Sequence, residues 1–411
     1  MGHFLKSYKN TEKKPSEINF NQRYNFVRIP RMDWDRPPWN RWSFQHVREF
    51  MPTARVWRGR GPVRKILHNE SDVLDITFQS MDGSTTSIRD LIEETYTDGF
   101  LVMVGGEIVH ESYYNDMKPH TPHLLQSVSK SITGTVAGML IGDGALDPQQ
   151  TCEHYLPDLK TTGYAGATVQ HLLDMTSGVV YSEEYTRCDS DVGKTDVASG
   201  WRPVSLDADT EIDWPSSVWD QIMTLNKKDA KHGQRWQYRS IETDVLAHLM
   251  IKVSGQSLHE LISERLWQPL CAEEDGYFTI DSNGYGLASG GFNCCLRDLG
   301  RFGQLYLDEG NCQGKNILPL AWINDVRRGA HGLFSDDALK TFPAGCYRNQ
   351  FWIENKQSEA FLGLGVFGQL VYVAPKYNMV TVKLSSWPYF LNDSFKINTL
   401  KGIHAIAKAL N

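Results

Sequence analysis

The chain has 411 residues, 41% of them hydrophobic and 22% charged, with a formal net charge of −7. These proportions exclude wholesale disorder and leave room for one large domain or two interleaved ones. Basic residues occur in nothing longer than pairs such as Lys13-Lys14 and Lys227-Lys228, so nucleic acid and anionic membrane surfaces are not expected partners.

In chain order, residues 1–60 read as an irregular arm packed on the body. The stretch "RMDWDRPPWNRWSFQHVREFMP" supplies Trp34, Trp39 and Trp42 as its anchors. The opening residues carry no apolar core of a secretory signal. No segment reaches the roughly 18 apolar residues of a membrane span. The seven cysteines are scattered without C-x-x-C spacing, which predicts reduced thiols, no metal site and a cytoplasmic setting.

A short helix is expected over 88–97. Next comes a hairpin whose strands, 100–104 and 107–114, meet at Gly105-Gly106. The middle of the chain reads as helical. One helix covers 127–141, and another follows Thr168 as N-cap and ends near Gly178. A third carries Ile241, Val245, Leu246, Leu249 and Met250 on one face, with Gly255 as its stop. "SLHELISERLWQPL" and "CLRDLGRFGQLYLDEG" are two more. Strand patterns return in "FLGLGVFGQLVYVAP" and "NMVTVKLSSW", separated by a turn at 375–378, and a last helix covers about 394–410. The pattern is α+β: an antiparallel sheet built from both ends of the chain, flanked by helices, with a mainly helical region inserted. The expected division is arm 1–60, α/β part 61–126 with 296–411, and helical part 127–295, with a catalytic cleft at the interface.

Ser127 and Lys130 stand one turn apart at the head of the first of these helices, which is otherwise apolar and glycine-bearing. A serine there meets free N–H groups and the positive end of the helix dipole. A lysine whose pKa is lowered in a dry site can take the hydroxyl proton. The tetrapeptide Ser-x-x-Lys arises by chance on the order of once in such a chain, and Ser127–Lys130 is its single occurrence. Tyr238, just before a helix start, is a candidate third member; a nearby ammonium would lower its pKa and favour phenolate. "GLGVFGQLVYV" reads as a glycine-flanked edge strand. Its Val366 N–H, with that of Ser127, would form an oxyanion hole. Taken singly, Tyr238 also reads as a core tyrosine and the Val366 strand as plain core.

These elements in this order resemble the serine β-lactamase and penicillin-recognising enzyme superfamily, in its class C-like esterase and DD-peptidase branch. The likeness is closer still to the 6-aminohexanoate-dimer hydrolases, the nylon-oligomer amidases. It runs from "PPWNRWSFQHV" through "SVSKSITGTVAG", "LLDMTSGVVYSEEY", "YRSIETDVLAHL" and "LASGGFNC" to "VKLSSWP". The resemblance implies a β-lactamase/transpeptidase-like fold, no cofactor, and a small-molecule amide or ester substrate. It makes Ser127 the acylated nucleophile, Lys130 its proton partner and Tyr238 the third catalytic residue. Tyr185 matches a tyrosine that closes over the substrate and contacts the leaving nitrogen. Asp196, Trp201, Ser289 and Trp352 match positions lining the cleft. A homodimer is the candidate assembly.

Two departures bear on the substrate. Phe367 stands before Gly368, where penicillin-binding relatives carry a cation or donor for the β-lactam carboxylate. Tyr389, Phe390 and Leu391 follow Trp-Pro, where the dimer hydrolases have acidic residues for the substrate's amino end. The expected activity is cleavage of small linear amides or short-chain esters through an acyl-enzyme. The alternatives are a β-lactamase or D-amino-acid peptidase of the same superfamily, and a non-catalytic binding protein on the same fold.

Overall fold

The computed structural model describes residues 29–205, 211–329, 334 and 336–411; residues 1–28 of the expected arm lie outside that range. The main sheet contains seven strands. They are β1 (Thr97–Val104), β2 (Glu107–Tyr113), β3 (Cys346–Arg348), β4 (Phe351–Asn355), β5 (Ala360–Gly365), β6 (Gln369–Ala374) and β7 (Met379–Ser385). Their order is β3-β4-β5-β6-β7-β1-β2, and every neighbouring pair is antiparallel. Strands from two distant segments therefore complete one sheet, with Thr97–Val104 closing against Met379–Ser385. Gly105 and Gly106, at φ 59° and 82°, make the β1–β2 turn; that left-handed pair matches the strand twist.

Both faces of the sheet are covered, so its strands are apolar on both sides. Leu101, Met103, Val371, Val373, Val380 and Val382 face one core; Phe100, Val102, Leu362, Leu370 and Tyr372 face the other. The first core also contains α1 (Val128–Gly142), α2 (Ile241–Ser254) and α3 (Leu296–Leu307). The second contains Leu400, Ile403 and Ile406 of α4 (Asp393–Ala409). On the first face the apolar core thus runs continuously from the sheet into these helices.

The glycines of α1 serve close packing. A methyl at Gly134 would come within 2.7 Å of Gln350 Cβ, one at Gly138 within 2.3 Å of Trp322, and one at Gly142 within 2.3 Å of Pro319. Their spacing of four places them on one face. Helix α2 ends where expected, with Gly255 at φ 70° as a left-handed C-cap.

Three local readings are corrected. "FLGLGVFGQLVYVAP" is two strands, β5 and β6, turned at Val366–Gly368. It is also not an edge, since β5 lies between β4 and β6. The sharp turn requires φ 61° at Phe367, which an apolar sequence does not advertise. Trp42 is not a buried anchor of the arm; it is 37% exposed and stacks on His46, whereas Trp34 is fully buried. Arg41 also ties the arm to the body: it pairs with buried Asp98 at 2.7 Å. Among the described residues no helix is long and apolar enough to cross a membrane.

Candidate active site

A second, four-stranded antiparallel sheet delivers the chain to α1. In it Thr53–Val56, Gly276–Thr279, Phe292–Cys294 and His123–Leu124 lie side by side. Gln126 then takes a left-handed turn, φ 50°, and Ser127 follows as the N-cap of α1. A serine at this position ordinarily bonds the helix's free amides. Ser127 makes no such side-chain bond. Its hydroxyl instead accepts a hydrogen bond from Lys130 Nζ at 2.9 Å, and its influence on the Tyr238 phenol is to lower that group's pKa. Lys130 Nζ lies 5.1 Å from the Tyr238 ring centroid.

Lys130 is 1% exposed. Burial pulls its pKa down from 10.5 to about 8, against the opposing charges of Glu183 and Asp244. Its ammonium also donates to the Ser289 carbonyl at 2.6 Å. Ser289 is held in turn: its N–H donates to Asp244 Oδ1 at 3.2 Å, and the Tyr285 hydroxyl donates to the same oxygen at 2.9 Å. Burial raises Asp244 to about 6.

The pKa expectation for Tyr238 is overturned. Burial, and then the negative charge of Glu183, push the phenol up; the Ser127 hydroxyl opposes them only in part. Tyr238 therefore stays a neutral phenol at physiological pH, and the group able to accept a proton is Lys130. Arg239, fully buried, fixes the Tyr238 loop by donating to the carbonyls of Val179 at 2.6 Å and Gln237 at 3.2 Å. The Tyr238 ring stacks on Trp352 at 5.6 Å.

Val366 opens the turn after β5. Gly365 before it runs so close to the chain preceding Ser127 that a side chain there would meet the Leu125 carbonyl at 2.7 Å. The segment that opens at Val366 thus runs beside the residues that lead into α1. The Tyr185 hydroxyl donates to Glu183 Oε2 at 2.5 Å, and Glu183 Oε1 takes the Ser240 N–H. Glu183 thereby joins the Tyr185 loop to the head of α2, and its charge acts on Tyr185, Tyr238 and Lys130 alike.

Trp201 and Asp196 are held by partners of their own. Trp201 donates from Nε1 to Thr279 Oγ1 at 2.9 Å and packs edge-on against Trp34. Asp196 pairs with Arg202 at 3.1 Å, and Arg202 also binds Asp35 of the arm. Its carboxylate is thus already matched by a cation. Direct contacts link Ser127, Lys130, Tyr238, Ser289 and Trp352, whereas Trp201 packs beside Gly290 and Asp196 is engaged by Arg202. Asp244, Glu183 and Arg239 escaped the sequence reading. Each is an ordinary charged residue whose partner is remote in the chain; the one local hint is the acid two places before Tyr185. Among the described residues no three His, Cys, Asp or Glu side chains gather as a metal site.

A doubly covered antiparallel sheet with a Ser-x-x-Lys helix seated against it defines a hydrolase of the penicillin-recognising type. Comparison with known proteins agrees. The chain belongs to the Beta-lactamase family, whose model matches residues 88–405. It is 36% identical to a 6-aminohexanoate-dimer hydrolase of Paenarthrobacter ureafaciens over 367 residues, 87% of this chain and 88% of the relative. A Bacillus anthracis protein, provisionally assigned as a 6-aminohexanoate-dimer hydrolase, superposes with a TM-score of 0.84 at 29% identity. That match covers 93% of this chain and 97% of the other. A penicillin-binding protein of Bacillus halodurans shares the fold, with a TM-score of 0.58 at 16% identity over 79% and 99% of the two chains. The chain is accordingly a hydrolase of the β-lactamase superfamily, and the non-catalytic alternative is set aside.

Proposed function

We propose that the protein hydrolyses small linear amides and short-chain esters through an acyl-enzyme on Ser127. Lys130, free of its proton in the reactive form, accepts the Ser127 proton as Oγ attacks the carbonyl carbon. The amides of Ser127 and Val366 hold the oxyanion, at about 3 kcal/mol per donor. Tyr238, a neutral phenol, donates toward the reacting oxygen and steadies the proton between Lys130 and Ser127. Tyr185 meets the leaving nitrogen. The proton taken up by Lys130 passes through Tyr238 to the leaving nitrogen, so the amine departs neutral and Lys130 is again free. Water then attacks the acyl carbon, Lys130 takes its proton, and that proton returns to Ser127 Oγ as the acid leaves. Trp352 and Trp201 line the cleft, Ser289 orients Lys130, and Asp196 closes the far wall. The cleft opens between the α/β part, 61–126 with 296–411, and the helical part, 127–295.

The observation that carries this reading is the 2.9 Å contact from Lys130 Nζ to a serine hydroxyl that caps nothing. Kinship with a 6-aminohexanoate-dimer hydrolase supports the amide preference. Phe367 supports it over β-lactams, since an apolar ring gives a carboxylate no partner. The seven free cysteines support a reducing, cytoplasmic setting. Intact-mass spectrometry after exposure to p-nitrophenyl esters, linear amides and a cephalosporin tests the proposal. A stoichiometric acyl adduct on Ser127 that is absent from Ser127→Ala is expected. No adduct with any ester or amide refutes it, and a cephalosporin adduct alone transfers the assignment to the β-lactamase alternative.

A further inference from the structure

The arm meets the Tyr185 loop at Arg36, whose side chain is 11% exposed. Its guanidinium donates from Nη2 to the Tyr185 carbonyl at 3.4 Å. The same group lies over the Phe390 ring, 4.0 Å from its centroid. Phe390 stacks on Tyr185 at 5.4 Å and packs on Phe367 at 4.7 Å, while its carbonyl takes the Phe367 N–H at 2.9 Å. One cation therefore touches two loops about 200 residues apart, and the second is tied to the residue beside Val366. An arginine suits the place, because a planar guanidinium can stack on an aromatic face and donate from its edge together.

The arm holds Arg36 in turn. The Arg36 N–H donates to the Asp33 carbonyl at 2.8 Å, and the Arg36 carbonyl accepts from Asn40 N–H at 2.9 Å. Asn40 Nδ2 reaches the Trp387 carbonyl at 2.7 Å, and Asp35 is clamped by Arg202. The arm is thus a strut anchored both near the end of β7 and on the segment that carries Arg202.

We propose that Arg36 is a positioning residue that keeps the Tyr185–Phe390 wall in register with Ser127, so that the arm sets how well poor leaving groups are expelled. This rests on the acylation reading and on Tyr185 meeting the leaving nitrogen. Collapse of the tetrahedral adduct breaks the carbon–nitrogen bond, and the departing nitrogen must gain a proton as the carbonyl reforms. A p-nitrophenolate leaves as a stable anion and needs none. Misplacing the wall therefore slows amide cleavage and spares the activated ester.

The test compares Arg36→Met and Arg36→Lys with wild type on an anilide and a p-nitrophenyl ester of the same short acyl group. Hydrogen exchange of segments 183–190 and 388–392 is followed alongside. For Arg36→Met a fall of about tenfold or more in kcat on the anilide is expected, with the ester within about twofold. Arg36→Lys should fall between, because it keeps the charge and loses the stacking plane. Exchange should quicken in both segments and stay unchanged in α1. Equal losses on both substrates, an unchanged anilide rate, or unchanged exchange in the two segments overturns the proposal. A wild-type protein that never acylates overturns the leaving-group half together with the acylation reading. The exchange data then still decide whether Arg36 pins the wall.

Discussion

Replacing Lys130 by methionine preserves the length of the side chain and removes its amine. The lysine is buried, and burial brings its pKa from 10.5 to about 8. At about 1.36 kcal/mol per tenfold change in proton affinity, keeping the ammonium there at neutral pH costs the fold about 3 kcal/mol. Methionine escapes that cost but leaves the Ser289 carbonyl, which accepts at 2.6 Å, without its donor. That loss is about 1–2 kcal/mol. The variant should therefore be inactive yet more stable than wild type by about 1–2 kcal/mol near neutral pH. Below pH about 8 the lysine is protonated in both folded and unfolded chains, so the whole cost is present. Between about 8 and 10.5 the unfolded chain still binds a proton that the folded one has released. Wild-type stability then rises with pH, and the variant's advantage shrinks and reverses. Urea denaturation of both proteins at neutral pH and near the upper end of that window measures the difference. A variant less stable at neutral pH, or a stability gap that does not change with pH, would refute the reasoning.

The rate of acylation, read as kcat/KM for a p-nitrophenyl ester, should climb with pH and level off above about 8 as Lys130 loses its proton. A limb that keeps rising past pH 10 would hand the role of base to Tyr238. Arg41→Met strands the Asp98 carboxylate, now paired at 2.7 Å and fully buried. It should cost about 3–5 kcal/mol in chemical denaturation, and a loss under about 1 kcal/mol would show that His123 and Ser386, which also hydrogen-bond Asp98 at 3.1 and 2.6 Å, suffice. Gly138→Ala drives a methyl into Trp322, 2.3 Å away. A loss of about 1–3 kcal/mol is expected in the same assay, and a neutral result would mean that Trp322 has room to move.

Much of the architecture was legible because local patterns and burial agreed. Helix α2 announces itself by its apolar face and Gly255; the β1–β2 hairpin does so by Gly105-Gly106. Ser127 and Lys130 were legible because one helical turn places their side chains together whatever the rest of the chain does. The β5–β6 break was not, since an uninterrupted apolar run carries no mark of a left-handed Phe367. Nor was the exposure of Trp42, because burial depends on what lies opposite.

The order of residues alone determined the elements and the Ser-x-x-Lys pair, since both follow from spacings of a few residues along one backbone. Tertiary structure alone decided that Tyr238 remains a phenol, that Glu183 and Asp244 set the field around Lys130, and that Arg36 reaches the Tyr185 wall. Electrostatic energies depend on distance through space and on how much water is excluded. Neither quantity exists until segments some 50 to 350 residues apart have been folded against one another.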